Sequence, residues 1–229
     1  MNIMINGICF DLFHTLIDVG SVPDHVGRYT ADILGFDRDE WNRTCFGLNH
    51  DITQATDHFY SVKKMAHSLD ASIPDSLIKT AVEERQRRFD HALIEVSSDV
   101  LHVLTRLREQ GLKLALISNA SSGEVDAWSR SPLAGLFHSA IFSCDVGARK
   151  PEPDIYHTAL TGLGLTASEC IFVGDGGSDE HIGAQQVGLR SVLTTQYLHS
   201  AVKIESQRQR VNWEISHITQ LPGLLAQIN

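Results

Sequence analysis

Asp11 and Asp175 are the residues of this chain best suited to chemistry. The first lies in Phe10-Asp11-Leu12-Phe13-His14-Thr15-Leu16, the second in Phe172-Val173-Gly174-Asp175-Gly176-Gly177-Ser178-Asp179-Glu180. In each, a short apolar run ends abruptly in an aspartate within a turn-prone segment. A buried strand delivers a carboxylate in this way to the carboxyl edge of a parallel sheet, where open α/β folds bind their ligands. Two such carboxylates at neighbouring strand ends can hold a divalent cation, with one left to attack a substrate.

The elements that must position them can be read from periodicity. Apolar β-type runs recur at 5–10, 113–117, 140–142, 170–173 and 191–194, with a weaker one at 211–215. Between them Val100, Leu101, Val103, Leu104 and Leu107 follow helical spacing, with Ser97 or Ser98 as cap and Gly111 as stop. Ile155, Ala159, Leu160 and Leu163 repeat that pattern after Pro151 and Pro153, and Ile182 and Val187 mark a helix closed by Gly188. This alternation over 95–215 predicts an α/β fold, a doubly wound parallel sheet with helices on both faces.

Residues 18–95 break the rhythm, having no convincing strand. Val22, Val26, Tyr29 and Ile33 predict one helix, and Val62, Met65, Ala66 and Leu69 a second. Leu77, Ile78, Ala81, Val82, Phe89 and Leu93 predict a third, on which Arg85, Gln86, Arg87 and Arg88 read as a solvated face. The expected organisation is a core of 1–17 plus 96–229 and an all-helical lid of 18–95 over the site carried by the first strand.

Composition narrows the functional classes. With 229 residues, 42% of them hydrophobic, the chain can bury a full core. A net charge of -9 argues against a general nucleic-acid or membrane-surface binder, since both need an electropositive face. Cys9, Cys45, Cys144 and Cys170 are scattered and include no C-x-x-C pair, which suits a reducing compartment. Residues 1–5 lack the basic start of a signal peptide and no run reaches membrane-spanning length, so a cytoplasmic protein is expected. The twelve histidines are dispersed; His50, His58, His67, His91 and His102 show no paired ligand spacing, and most read as surface or helix-face residues.

The order Asp11-x-x-x-Thr15, Ser118-Asn119, Lys150-Pro151 and Gly174-Asp175 resembles the four motifs of the haloacid dehalogenase-like (HAD) hydrolase superfamily, helical-cap subgroup, over essentially the entire chain. That resemblance implies a Rossmann-like core with a cap, Asp11 as nucleophile, and Ser118 as hydrogen-bond donor to the transferring group. It also implies Lys150 as a cation offsetting the charge of nucleophile and substrate, with Asn119 touching substrate or lid. The implied cofactor is Mg²⁺, held by Asp11, the backbone carbonyl of Phe13, Asp175 and a further acid. Counting forward from Asp175 selects Asp179 as that acid; counting back from Ala184, Val187, Gly188 and Leu189 selects Glu180.

One position departs from the family pattern. Where the first motif has a second aspartate as general acid/base, this chain has Phe13. His14, in the place of the usual glycine, could stand in as proton donor or pack under the lid. An aromatic first motif resembles metal-independent 2-haloacid dehalogenases, as does Arg43, near the lid arginine that binds a substrate carboxylate in such enzymes. The acidic fourth motif resembles Mg²⁺ phosphohydrolases. Tyr156 reads as packing.

A dinucleotide site is excluded, because Gly174–Gly177 is not G-x-G-x-x-G. The leading expectation is a Mg²⁺-dependent phosphohydrolase acting on a small, anionic phosphorylated metabolite, as a monomer or homodimer. The alternatives are a metal-independent dehalogenase-type hydrolase and a weakly active or non-catalytic relative.

Overall fold

The computed structural model describes residues 4–47, 50–198 and 200–229. Six strands form one sheet: β1 Gly7–Phe10, β2 Lys113–Ser118, β3 Ser139–Phe142, β4 Cys170–Gly174, β5 Arg190–Thr194 and β6 Trp213–Ile215. Every pairing is parallel, in the order β3-β2-β1-β4-β5-β6. All six expected strands are present, within one or two residues of the predicted limits. The chain winds outward in one direction from β1 and in the other from β4. The β1/β4 boundary is therefore the switch point, where a crevice opens at the carboxyl ends.

Side-chain alternation sorts the sheet into two faces. Ile8, Phe10, Leu114, Leu116, Ile171 and Val173 enter one apolar cluster, together with Val100, Val103, Leu104 and Leu107 of α5 (Ser98–Glu109). Cys9, Ala115, Ile117 and Phe172 enter the other, against Ile155, Tyr156, Ala159 and Leu163 of α7 (Pro153–Leu163). Ser97 caps α5, its side chain accepting from Asp99 N at 3.3 Å. Gly111 follows the helix at φ 85°, the left-handed stop its position predicts.

Between β1 and α5 lie α1 (Thr30–Leu34), α2 (Arg38–Cys45), α3 (His58–Leu69) and α4 (Asp75–Ile94). They bury an apolar cluster of their own, including Ala31, Leu34, Trp41, Val62, Met65, Ile78 and Ala81. Helices α3 and α4 fall where periodicity predicts. The first expected helix does not: only Thr30–Leu34 is helical, and 22–29 is irregular. Arg88 explains the difference. Buried on α4, it donates to the carbonyls of Val19 at 2.7 Å and of Val22 and Gly27 at 2.8 Å, giving that loop the partners a helix would have supplied.

The solvated face expected on α4 is also corrected. Arg88 is buried and Arg85 joins a buried ion pair, leaving Arg87 as the arginine of the group that faces solvent. His50, expected at the surface, is buried beside the same pair.

Candidate active site

Strand register brings the two aspartates together. Phe10 pairs with Val173, and Asp11 N donates to Val173 O at 2.9 Å, so Asp11 and Asp175 emerge side by side at the switch point. Both are buried. Glu180, the first residue of α8 (Glu180–Gln186), joins them, and one carboxylate oxygen from each of the three lies within 4.8 Å of the others.

Two glycines make this convergence possible. A Cβ on Gly174 would stand 2.2 Å from Glu180 Oε1, so only a bare backbone lets Glu180 fold back over the end of β4. A Cβ on Gly183 would stand 2.5 Å from Pro151 O, so α8 can press against the Lys150-Pro151 segment.

The choice between Asp179 and Glu180 follows from the turn. Ser178 and Asp179 both take left-handed conformations, at φ 54° and 50°. They rotate the chain outward before α8 starts, and Asp179 pairs with Arg210 at 2.8 Å at the surface. Asp179 is therefore outside the cluster, and the inserted glycine is why counting forward from Asp175 selects it.

Lys150 lies at the centre, with its side chain 3% exposed. Its Nζ donates to Asp11 Oδ1 and, at 2.7 Å, to Glu180 Oε2. Burial works against the charged ammonium, yet Asp11 and Glu180 hold it above the usual lysine range. Burial pushes Asp11 up; Lys150 opposes this and the charge of Asp175 adds to it. Glu180 is raised in the same way, against Lys150, with Asp11 and Asp175 both contributing. Burial and mutual charge thus raise two of the three acids against the pull of Lys150.

The remaining bonds fix orientation. Thr15 Oγ1 donates to Asp11 Oδ2 at 2.9 Å, and Gly176 N donates to Glu180 Oε1 at 2.8 Å. Tyr156 is fully buried as expected, but its hydroxyl also donates to Glu180 O at 2.7 Å. Ser118, at the end of β2, is fully buried, and among the described residues its hydroxyl has no hydrogen-bond partner. A buried hydroxyl left free at the carboxyl end of a strand is a donor available to an incoming ligand.

Several expected site residues stand elsewhere or do something else. The Asn119 carboxamide bonds the Lys150 backbone, accepting from its N at 2.8 Å and donating to its O at 3.0 Å, so it positions the lysine. Arg43 is exposed on the last turn of α2, and among the described residues no hydrogen bond or ion pair ties it to the site. His14 occupies a left-handed turn position at φ 58°, with Nδ1 3.3 Å from Asp18 Oδ1. The hydrogen bond it donates to Asp18 raises its pKa above the usual histidine value, against the effect of burial. Phe13 points its ring at Phe89 of α4, edge to face, with centroids 5.5 Å apart. The position of the absent second acid is thus a contact between the first motif and the inserted helices.

One residue was missed altogether. Lys203 Nζ donates to Asp175 Oδ2 at 2.9 Å from α9 (Ala201–Arg208), a helix for which apolar periodicity gives no signal. Its start was visible in Ser200, whose side chain accepts from Lys203 N at 3.3 Å as an N-cap.

Comparison with known proteins shows the family. Phosphoglycolate phosphatase of Aliivibrio fischeri (strain ATCC 700601 / ES114) is 31% identical over 220 residues, spanning 92% of this chain and 93% of the relative. (S)-2-haloacid dehalogenase of Pseudomonas sp. (strain YL) is 27% identical over 230 residues, spanning 93% and 91%. In three dimensions, L-2-haloacid dehalogenase from Xanthobacter autotrophicus with chloropropionic acid covalently bound superposes with a TM-score of 0.73 at 18% identity, over 99% of this chain and 100% of that one, a likeness of fold. The model of the haloacid dehalogenase-like hydrolase family matches residues 5–188, and the chain belongs to that family of hydrolases.

Proposed function

We propose that this hydrolase is a Mg²⁺-dependent phosphohydrolase of small phosphorylated metabolites. The observation that carries the reading is the buried trio Asp11, Asp175 and Glu180. Three hard oxygen donors, two of them with pKa values raised by burial and by their acidic neighbours, suit a small divalent cation. Asp11, Asp175, Glu180 and the Phe13 carbonyl are the groups that would hold Mg²⁺. When bound, the ion supplies positive charge that offsets that of the phosphoryl oxygens.

The chain's own residues do the rest. Thr15 and Lys150 orient Asp11, one of whose carboxylate oxygens attacks phosphorus as the bond from phosphorus to the leaving oxygen breaks. Lys150 and the free Ser118 hydroxyl stabilise the charge on the transferring group. Water then attacks the phosphorus of the aspartyl-phosphate, releasing phosphate and restoring Asp11. Position 13 carries a phenyl ring and His14 is turned to Asp18, so the leaving group departs without a dedicated proton donor. The inserted helices serve as the lid, and the four free cysteines suit the cytoplasm.

A second reading, a metal-independent dehalogenase, is favoured by Phe13 and by the similarity to (S)-2-haloacid dehalogenase. One assay separates them. Phosphate release from a panel of phosphate esters and halide release from 2-chloropropionate are measured with Mg²⁺ and with EDTA. Phosphate release that EDTA and Asp11→Asn each abolish is the expected result. Halide release indifferent to EDTA would overturn the proposal in favour of the second reading.

A further inference from the structure

Three carboxylates meet at the site, and two lysines of different character answer them. Lys150 is sealed between Asp11 and Glu180. Lys203 has a side chain 43% exposed and touches Asp175 from outside. We propose that Lys203 is a tethered counter-cation, occupying the outer oxygen of Asp175 when no divalent ion is bound and giving way when one arrives. The proposal rests on the metal-site reading above.

The contact is built into the packing. Lys203, Gln207 and Arg210 are spaced i, i+4, i+7, so they project from one face of α9 and its C-terminal extension. All three meet the loop that follows β4. Lys203 donates to Asp175, and Arg210 pairs with Asp179 at 2.8 Å. Gln207 is buried against Gly176, where a Cβ would stand 2.6 Å from its Cδ. The helix is thereby docked on the fourth motif, and its lysine is delivered to the one acid of the trio that Lys150 does not bond. Asp175 Oδ1 is held by Gly177 N at 3.0 Å, which leaves Oδ2 as the exchangeable oxygen.

Charge balance gives the exchange its direction. A divalent ion and Lys150 together match three carboxylates, whereas adding Lys203 would leave one positive charge in excess. The flexible, half-exposed stem lets the Lys203 ammonium return to water at small cost, which the buried Lys150 cannot do.

Mn²⁺ binding to the full chain, followed by electron paramagnetic resonance, tests this independently of turnover. Four proteins are compared: wild type, Lys203→Met, Asp175→Asn and the double variant. Lys203→Gln serves as a second substitution if Lys203→Met folds poorly. Loss of Lys203 is expected to tighten Mn²⁺ binding about fivefold, the scale of a partly exposed ion pair. Asp175→Asn is expected to abolish that gain. Unchanged or weaker binding in both Lys203 variants would overturn the counter-cation while leaving the metal site intact. A gain that persists in the double variant would overturn it too, because the ion would then lie elsewhere. Binding only when Lys203 is removed supports the counter-cation and instead refutes Mg²⁺ dependence of the native chain. Failure of every protein to bind removes both.

Discussion

Asn119 holds Lys150 by both sides of its backbone, accepting from the amide at 2.8 Å and donating to the carbonyl at 3.0 Å. The end of β2 is thus bolted to the segment that carries the central cation. The lysine reaches Asp11 from 139 residues away, and this pair of bonds sets where its ammonium arrives.

Asn119→Ala should therefore act through Lys150. Misplacement by a fraction of an ångström costs up to ~100-fold when a catalytic group is involved. We expect kcat to fall ~10- to 100-fold with KM little changed, while circular dichroism shows an intact fold. Unchanged kcat with a raised KM would instead place Asn119 on the substrate.

Ser118→Ala should separate activity from stability. The hydroxyl is buried without a partner among the described residues, so the folded state carries an unsatisfied polar group that alanine removes. Stability should hold or rise, by up to ~1 kcal/mol, in urea unfolding. Activity should fall ~10- to 100-fold under the proposed role of this hydroxyl as donor to the transferring group. A stability loss with full activity would show that its role is packing.

Phe13 makes a prediction about leaving groups. General acid catalysis is worth ~10²- to 10⁴-fold, and a phenyl ring cannot provide it. Aryl and acyl phosphates, which depart without a proton, should be turned over far faster than alkyl phosphates. Phe13→Asp should narrow the gap, although it also removes the edge contact with Phe89 and so loosens the fit of α4. Equal rates for p-nitrophenyl phosphate and an alkyl phosphate in the wild type would end this argument.

Much of the fold and part of the site can be read in the sequence, for one reason. Where a strand is buried on both faces its residues form an unbroken apolar run, and the residue at its end faces the crevice. Asp11, Ser118 and Asp175 were legible in this way, and parallel register did the rest. The irregular 22–29 segment was not, since its apolar spacing is helical while its backbone partners come from Arg88, 61–69 residues away. Asp179 misled because two left-handed residues change the direction of the chain without changing its composition. Lys203 lay beyond the motifs, on a polar helix whose single signal is its cap. What periodicity cannot show is which distant polar groups will meet.

The buried pair Arg85–Glu124 is a case of this kind, and it yields a prediction with a pH signature. Arg85 of α4 donates to Glu124, in the 3₁₀ turn Ser122–Arg130 that follows β2, and His50 Nε2 lies 3.4 Å from the same carboxylate. Gln86 Nε2 adds a bond to Gly123 O at 3.0 Å, so this seam joins the inserted helices to the core. Burial pushes the Glu124 carboxyl up, but His50, Arg85 and the Ser121 amide outweigh it and hold it below the usual range. A depressed native pKa means that the unfolded chain takes up the proton first as pH falls. The pair's contribution is therefore complete above the ordinary carboxylate range and is lost as pH drops through the lowered native value. Glu124→Gln should cost about 3 kcal/mol at pH 7, since it strands a buried guanidinium. The difference from wild type should shrink in acid, followed by urea unfolding from pH 7 to pH 3. Arg85→Met/Glu124→Gln should be more stable than Glu124→Gln alone, because the stranded charge is gone. Parallel pH profiles for wild type and Glu124→Gln would show that this carboxylate does not bind the inserted helices to the core through its charge.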